Sequence, residues 1–200
     1  MQLKLLEQPK QEIITLEEAK NYLRINQNCD DNLIKTMISA TREAMETILQ
    51  KSLVKQKWMY KIMGSDLARF TVSEKDFMNM MPGTIIIPLP KPPVISIEKI
   101  TIRYKNGSQK ILTEYQNVAG DCFCVKFSIT QLEASVEDIE IVYYTGIVEE
   151  AENIPYQLKL SNLMLVANSY NNRFSYNSSD FMPASIEKML SPFRNVMRVA

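Results

Sequence analysis

The chain has no histidine. That absence excludes Ser-His-Asp and Cys-His nucleophile systems, histidine metal ligands, and imidazole proton transfer near neutral pH. A catalytic role would have to rest on carboxylates, Lys, Tyr or Cys alone. Cysteine is scarce as well. The three present, Cys29, Cys122 and Cys124, form no regular framework and read as reduced thiols in a cytosolic setting. Cys122-x-Cys124 beside one distant Cys is a weak zinc signal, and small half-buried strand residues are the simpler reading. No metal and no cofactor is expected. The five glycines are isolated, so no Gly-rich loop is available to cradle a phosphate. Neither sign of charge is in excess, with Lys plus Arg 23 and Asp plus Glu 23. A bulk electrostatic grip on nucleic acid or an anionic membrane is therefore excluded, although a local basic patch is not. Long apolar runs are missing too. The longest, Leu163 to Ala167, is far too short to span a bilayer. Residues Met1 to Lys10 alternate apolar and polar without an apolar h-region, so they do not read as a signal peptide, and no membrane partner is expected.

What remains is the composition of a globular protein. The 200 residues are 46% hydrophobic and 23% charged, enough chain to bury about 70% of the surface its unfolded form exposes. Glycine and proline divide it. All the glycines fall between Gly64 and Gly146, and prolines crowd between Pro82 and Pro93. Helix interiors disfavour both residues and turns between strands recruit them, which predicts helices, then strands, then helices.

The first helix is announced by Thr15-Leu16-Glu17-Glu18, a capping box in which each end satisfies the other's backbone amide. It runs to about Arg24. After the polar break Asn26 to Asp31, with Asp30 or Asp31 as cap, Leu33, Ile34, Met37, Ile38, Thr41, Met45, Ile48 and Leu49 recur at spacings of three and four. That is one apolar stripe on a helix of about 20 residues, roughly 30 Å, with Arg42, Glu43 and Glu46 off the stripe. The period then changes. Over Leu53 to Met63, Lys55, Lys57 and Lys61 alternate with Trp58, Tyr60 and Ile62, a half-buried strand with a lysine face. Gly64 to Gly83 is poorly patterned and Met-rich, and reads as a long loop.

Thr84 to Leu89 is a strand that must end at an edge or crossover, because Pro88 to Pro93 cannot supply central ladder donors. Val94 to Lys105 is a strand with a β-bulge near Glu98 and Lys99, where its apolar face switches. Asn106-Gly107 predicts a two-residue type I′ hairpin turn, with Gln109 to Leu112 as the return. Cys122 to Phe127 and Ile139 to Tyr144 complete about six short strands, enough for a small antiparallel sandwich or barrel. Helices resume at Ile154-Pro155 and continue to about Asn172. This helix is apolar over most of its circumference and is expected to be the central one. A short helix follows Pro183 and ends at Pro192.

Candidate chemistry is thin. Asp30-Asp31, Glu137-Asp138 and Glu149-Glu150 with Glu152 are paired carboxylates, but acid–base work needs two carboxyls in unlike environments, and these lie at caps and junctions. Ser185 and Lys188 are three apart on a short surface helix, a spacing that chance supplies. Trp58, Tyr60, Tyr143 and Tyr144 could stack bases beside the lysines, but alternation places the aromatics mainly on the opposite face, which favours core.

The order of several segments resembles a known family. "ITLEEAKNYLRIN" followed by "DDNLIKTMISATREAMETIL" is similar to the opening of the head–tail connector proteins of tailed phages, prophages and gene transfer agents, also called adaptor or head-completion proteins. "LPKPPVISIEKITI", "IEIVYYTG", "IPYQLKLSNLMLVANSYNNR" and "MPASIEKMLSPFR" resemble later segments of the same family. Between Gly64 and Gly83 no family pattern is visible.

The resemblance implies an α+β fold: a helical adaptor core of about four helices, residues 13–52 with 154–192, and a small antiparallel β-sandwich or barrel-like lobe, 53–148, inserted between helices two and three. Residues 193–200 would form a tail. It further implies a structural, non-enzymatic subunit that forms a ring, expected to be dodecameric, below the portal protein. The ring would extend the DNA channel without sequence-specific binding and receive a tail-completion or neck protein. The subunit would occupy the host cytoplasm during assembly and the virion neck afterwards. In the tail, Phe193, Arg194, Met197 and Arg198 are the candidate partner-interface residues. Two other readings stay open: a generic interaction or scaffold module of the same shape, and a His-free enzyme.

Overall fold

The computed structural model describes residues 1–71, 83–118, 123–132, 135–150, 153–172 and 182–194. The fold is α+β. The chain forms two compact units, one joining Met1–Gln8 to Gln56–Thr145, the other joining Pro9–Lys55 to Gly146–Val196.

The second unit is helical. Its first helix, α1 (Leu16–Leu23), carries the predicted capping box: the Glu18 amide donates to Thr15 Oγ1 at 3.1 Å and the Thr15 amide to Glu18 Oε2 at 2.6 Å. Arg24 stops the helix in a left-handed conformation, φ 59°. The next helix, α2 (Asp31–Leu49), buries Ile34, Ile38, Thr41, Met45 and Leu49 from its stripe. Asp30 stands at its N-cap but makes no capping bond with its side chain, which instead accepts a hydrogen bond from the Tyr170 hydroxyl. Two residues depart from the sequence reading. Arg42 and Glu46, off the stripe, are buried because they neutralise one another within the fold.

Helix α3 (Tyr156–Asn171) packs against α1, α2 and α4 (Ala184–Leu190) and is the central element of this unit. Between Ser161 and Tyr170 none of its residues is exposed. Ile13, Ile14, Leu53, Val54 and Ile154 join the helices in a single apolar core. Leu53 and Val54 therefore precede the strand to which the alternation assigned them.

The first unit is built of sheets. β1 (Gln2–Glu7), β2 (Gln56–Met63), β8 (Val136–Thr145), β4 (Val94–Tyr104) and β5 (Gln109–Ile111) form one antiparallel sheet in that order. β3 (Thr84–Pro88), β7 (Cys124–Ser128) and β6 (Gln116–Val118) form a second. Ile62, Ile100, Ile102, Ile139, Ile141 and Tyr143 of the first sheet share one core with Ile85, Ile87, Val125 and Phe127 of the second. β3 lies at a sheet edge, as its prolines require. The register of β4 against β8 shifts between Ile97 and Lys99, the expected bulge, and again near each end of the strand.

Three expectations need correction. The turn at Asn106-Gly107 is exposed but is not type I′, which needs positive φ at both residues. Within it only Gly107 has positive φ, +84°. The Gly107 amide donates to the Tyr104 carbonyl and the Tyr104 amide to that of Ser108. This is a three-residue loop closed by a left-handed glycine, and Asn106 Oδ1 holds it by accepting from the Ser108 amide at 2.9 Å. Second, Gly64–Phe70 is a 3-10 helix rather than loop. A Cβ on Gly64 would lie 2.1 Å from the Val136 carbonyl oxygen, so only glycine admits this helix beside β8. The remainder of the expected loop, 72–82, lies outside the described residues. Third, β1 and β6 add two strands to the six anticipated; the alternation of residues 2–7 is that of an edge strand, with Leu3 against the core and Leu5 half-buried.

Candidate functional site

The outer face of the five-stranded sheet gathers the strand lysines. Lys57, Met59 and Lys61 lie opposite Tyr144, Val142 and Glu140 of β8. Asp138, almost wholly buried, accepts from Lys61 at 3.0 Å and from Arg103 at 3.3 Å, and Arg103 also meets Glu140 at 2.6 Å. Arg103 is raised above its usual pKa, first by Glu140. Lys57 bonds Glu98 at 2.8 Å and Glu7 at 3.3 Å, and lies 5.4 Å from the centre of the Tyr144 ring. Hydrogen bonding to Glu98 raises the Lys57 pKa, and the same bond lowers that of Glu98. Lys57, Lys61 and Arg103 are thus each engaged by carboxylates. Trp58 and Tyr60 take the core face, as the alternation predicts. Trp58 is half-buried, opposite Tyr143 on β8, with Lys91 Nζ 5.9 Å from its ring centre. Tyr143 donates to the Pro90 carbonyl at 3.0 Å, and burial raises its pKa.

In the helical unit a buried guanidinium organises the approach to α1. Arg42, its side chain 3% exposed, donates to Glu12 Oε2 at 2.8 Å and Glu46 Oε2 at 2.9 Å. Glu46 Oε1 accepts from the Leu53 amide at 2.8 Å, and Ser39 donates to Glu12 Oε1 at 2.8 Å. One arginine therefore ties the segment before α1 and the segment after α2 to the middle of α2. The Arg42-x-x-x-Glu46 spacing was the available sequence signal, since i,i+4 pairs meet on a helix. Beside it a groove is floored by Ile13, Ile14 and Ile38 and rimmed by Lys35 and Lys159.

The other candidate groups do not converge. Asp31 pairs with Lys20 at 2.8 Å. Glu137, Glu149 and Glu150 are exposed, as are Ser185 and Lys188. Cys29 is exposed and Cys124 half-buried; Cys122 and Glu152 lie outside the described residues. Among the described residues no three Cys, Asp or Glu side chains are grouped to hold a metal ion, and no helix is long and apolar enough to cross a membrane. Of the candidate interface residues, Phe193 packs against the helical core and Arg194 is exposed. Met197 and Arg198 lie outside the described residues.

The helical unit also exposes several large apolar side chains. Tyr156 is 87% and Leu160 43% accessible, one turn apart on α3, and Tyr22 and Leu33 are 44% and 37% accessible on α1 and α2. Exposed aromatics on a rigid helix suit contact with another protein surface.

Exposed aromatics on the helical unit suit a protein that packs against other proteins. The sequence profile of the head completion proteins matches residues 12–196, and the chain belongs to that family. It is a structural subunit of the head–tail connection and not an enzyme. Among curated proteins no match is found. Among solved structures the chain is similar to one from the virion of a native gene transfer agent particle, with TM-score 0.72 and 15% identity over 97% of this chain and 95% of that one. It is equally similar to a chain in the neck of an empty particle computed with C6 symmetry, TM-score 0.72. A third, in the neck of a native particle computed with C12 symmetry, has TM-score 0.71 and 14% identity.

Proposed function

We propose that copies of this chain close into a ring, a dodecamer, in the neck of a phage-like particle, below the portal protein. The ring extends the DNA channel and receives a tail-completion protein, after assembly in the host cytoplasm. The observation that carries the reading is the family match across 12–196, joined to a fold shared with a chain in a neck computed with C12 symmetry. Zero net charge suits a channel through which DNA slides, since a strongly basic lining would hold it. In this reading residues 13–52 and 154–192 form the adaptor core, and 53–148 form a sandwich-like lobe inserted between α2 and α3. The long helix α2 and the start of α3 lie at the subunit contacts.

The test is the mass of the purified protein across concentration, alone and with portal-bearing heads, followed by negative-stain imaging. Closed rings are expected. A strict monomer that also fails to bind such heads refutes the proposal. In this reading residues 193–200 form the attachment tail, in which Arg194, Met197 and Arg198 meet the portal while Phe193 anchors the tail on the helical core. Deleting residues 196–200 should leave thermal melting nearly unchanged and weaken co-sedimentation with tailless, DNA-filled heads; equal attachment removes the docking role.

A further inference from the structure

We propose that Asn106-Gly107 is a site at which the chain modifies itself: the Asn106 side-chain amide closes on the Gly107 nitrogen, and water opens the resulting succinimide to aspartate or isoaspartate. Asn106 is the one asparagine of the chain that precedes a glycine.

The reaction needs an uncrowded attacking nitrogen, a main chain that can bring it to Cγ, and solvent to take up a proton and supply water. Residues 105–111 are all exposed. A Cβ built on Gly107 meets no atom within 4 Å, and glycine is the residue most free to change its dihedrals. The turn adds something the dipeptide alone does not show. Asn106 Oδ1 accepts from the Ser108 amide at 2.9 Å and from the Ser108 hydroxyl at 2.7 Å. Negative charge develops on this oxygen when Cγ is attacked, so two donors already stand where the oxyanion forms. One contact acts the other way. The Gly107 amide donates to the Tyr104 carbonyl at 2.9 Å and must let go before base can take its proton. One hydrogen bond of ordinary net strength slows the attack by about 2- to 10-fold.

Hydroxide removes the Gly107 amide proton, and the nitrogen bonds to Asn106 Cγ. The Cγ–Nδ2 bond breaks, and ammonia leaves with a proton from water, which restores the hydroxide. Water then adds to one imide carbonyl and the bond from that carbon to the Gly107 nitrogen breaks. Opening at Cγ gives aspartate; opening at the main-chain carbonyl gives isoaspartate. Water enters, ammonia leaves, and nothing is oxidised or reduced. Either product places a carboxylate between Lys105 and Lys110. Isoaspartate also routes the main chain through Cβ and Cγ, which adds one backbone atom to a three-residue loop. The bond from the Tyr104 amide to the Ser108 carbonyl, which closes that loop, is then lost, and the short pairing of Gln109–Ile111 with β4 loosens with it.

The test incubates the full chain in mildly alkaline buffer beside a synthetic peptide of residues 103–111. Peptide mapping by mass spectrometry follows each asparagine, and methylation by an isoaspartyl methyltransferase with labelled S-adenosylmethionine counts isoaspartate. Asn106 should convert faster than every other asparagine, at a rate within about tenfold of the peptide's. Asn106→Gln should abolish the methylation, and Gly107→Ala should slow it. Ser108→Ala, compared with its own peptide, should slow conversion in the folded chain. In the isoaspartate fraction the amides of Gln109–Ile111 should exchange faster with solvent. An Asn106 that stays intact in the folded chain while the peptide converts fully overturns the proposal, as does conversion led by another asparagine. A folded Ser108→Ala chain that converts as fast as wild type overturns the part given to the Ser108 hydroxyl.

Discussion

Replacing Arg42 by methionine tests the account of the helical unit most directly. The Arg42 side chain is 3% exposed and that of Glu46 is 5%, so Arg42→Met leaves the Glu46 carboxylate out of water without its guanidinium partner. Breaking a buried pair from one side costs about 3–5 kcal/mol, because the orphaned charge remains desolvated. For a protein of this size each kcal/mol lowers Tm by about 2–4 °C, so the expected drop is about 6–20 °C. Circular dichroism follows the helices, and the fluorescence of the one tryptophan, Trp58 in the sheets, follows the other unit; both should be recorded. The companion variant is Arg42→Met with Glu46→Gln. The amide oxygen still accepts from Leu53 while the unpaired charge is gone, so the double variant should recover about 1–3 kcal/mol of the loss. A single variant that loses less than about 1 kcal/mol, the range of exposed pairs, refutes the reasoning. So does a double variant less stable than the single.

Other outcomes follow from the same structure. Asn162 is wholly buried with its Oδ1 unpartnered, so Asn162→Leu should raise the urea midpoint, by about 1 kcal/mol in stability. Gly64→Ala should cost more than Gly107→Ala: the first puts a Cβ 2.1 Å from a carbonyl oxygen, while the second meets no atom within 4 Å and costs only its left-handed φ, about 1–2 kcal/mol. The Glu98 pKa is lowered in the folded state, so its contribution is present above the ordinary glutamate range and is lost as pH falls through the lowered value. Glu98→Gln should flatten that part of the pH–stability curve, and added salt should shrink the difference.

The sequence was most legible where a few adjacent residues decide the structure. The capping box at Thr15, the stripe of α2, the bulge near Glu98 and the edge position of β3 each depend on local chemistry, and each is present. It was less legible where distant residues decide. Arg42 and Glu46 read as solvated because nothing in α2 reveals that Glu12 and the Leu53 amide will enclose them. Asn106-Gly107 carries the dipeptide of one turn type, but the pairing of Tyr104 with Ser108 lengthens the loop and leaves Asn106 right-handed. Leu3 and Leu5 alternate over too few residues to declare a strand without β2 beside them. The candidate surface was legible only as composition. That Tyr156 faces solvent, on a helix apolar over most of its circumference, depends on which of its sides α1, α2 and α4 cover.

The strand order has a consequence for how the molecule is made. β8 is the last strand of its sheet to leave the ribosome, yet it lies at the centre, paired with β2 on one side and β4 on the other. Until about residue 145 has been synthesised, neither β2 nor β4 has its central partner. The helical unit waits likewise for α3, its own central helix. Contacts so distant in sequence make folding slow, because long loops must close before any pairing is gained. A chain that ends before β8 therefore cannot finish the sheet unit, and one that ends before α3 cannot finish the helical unit.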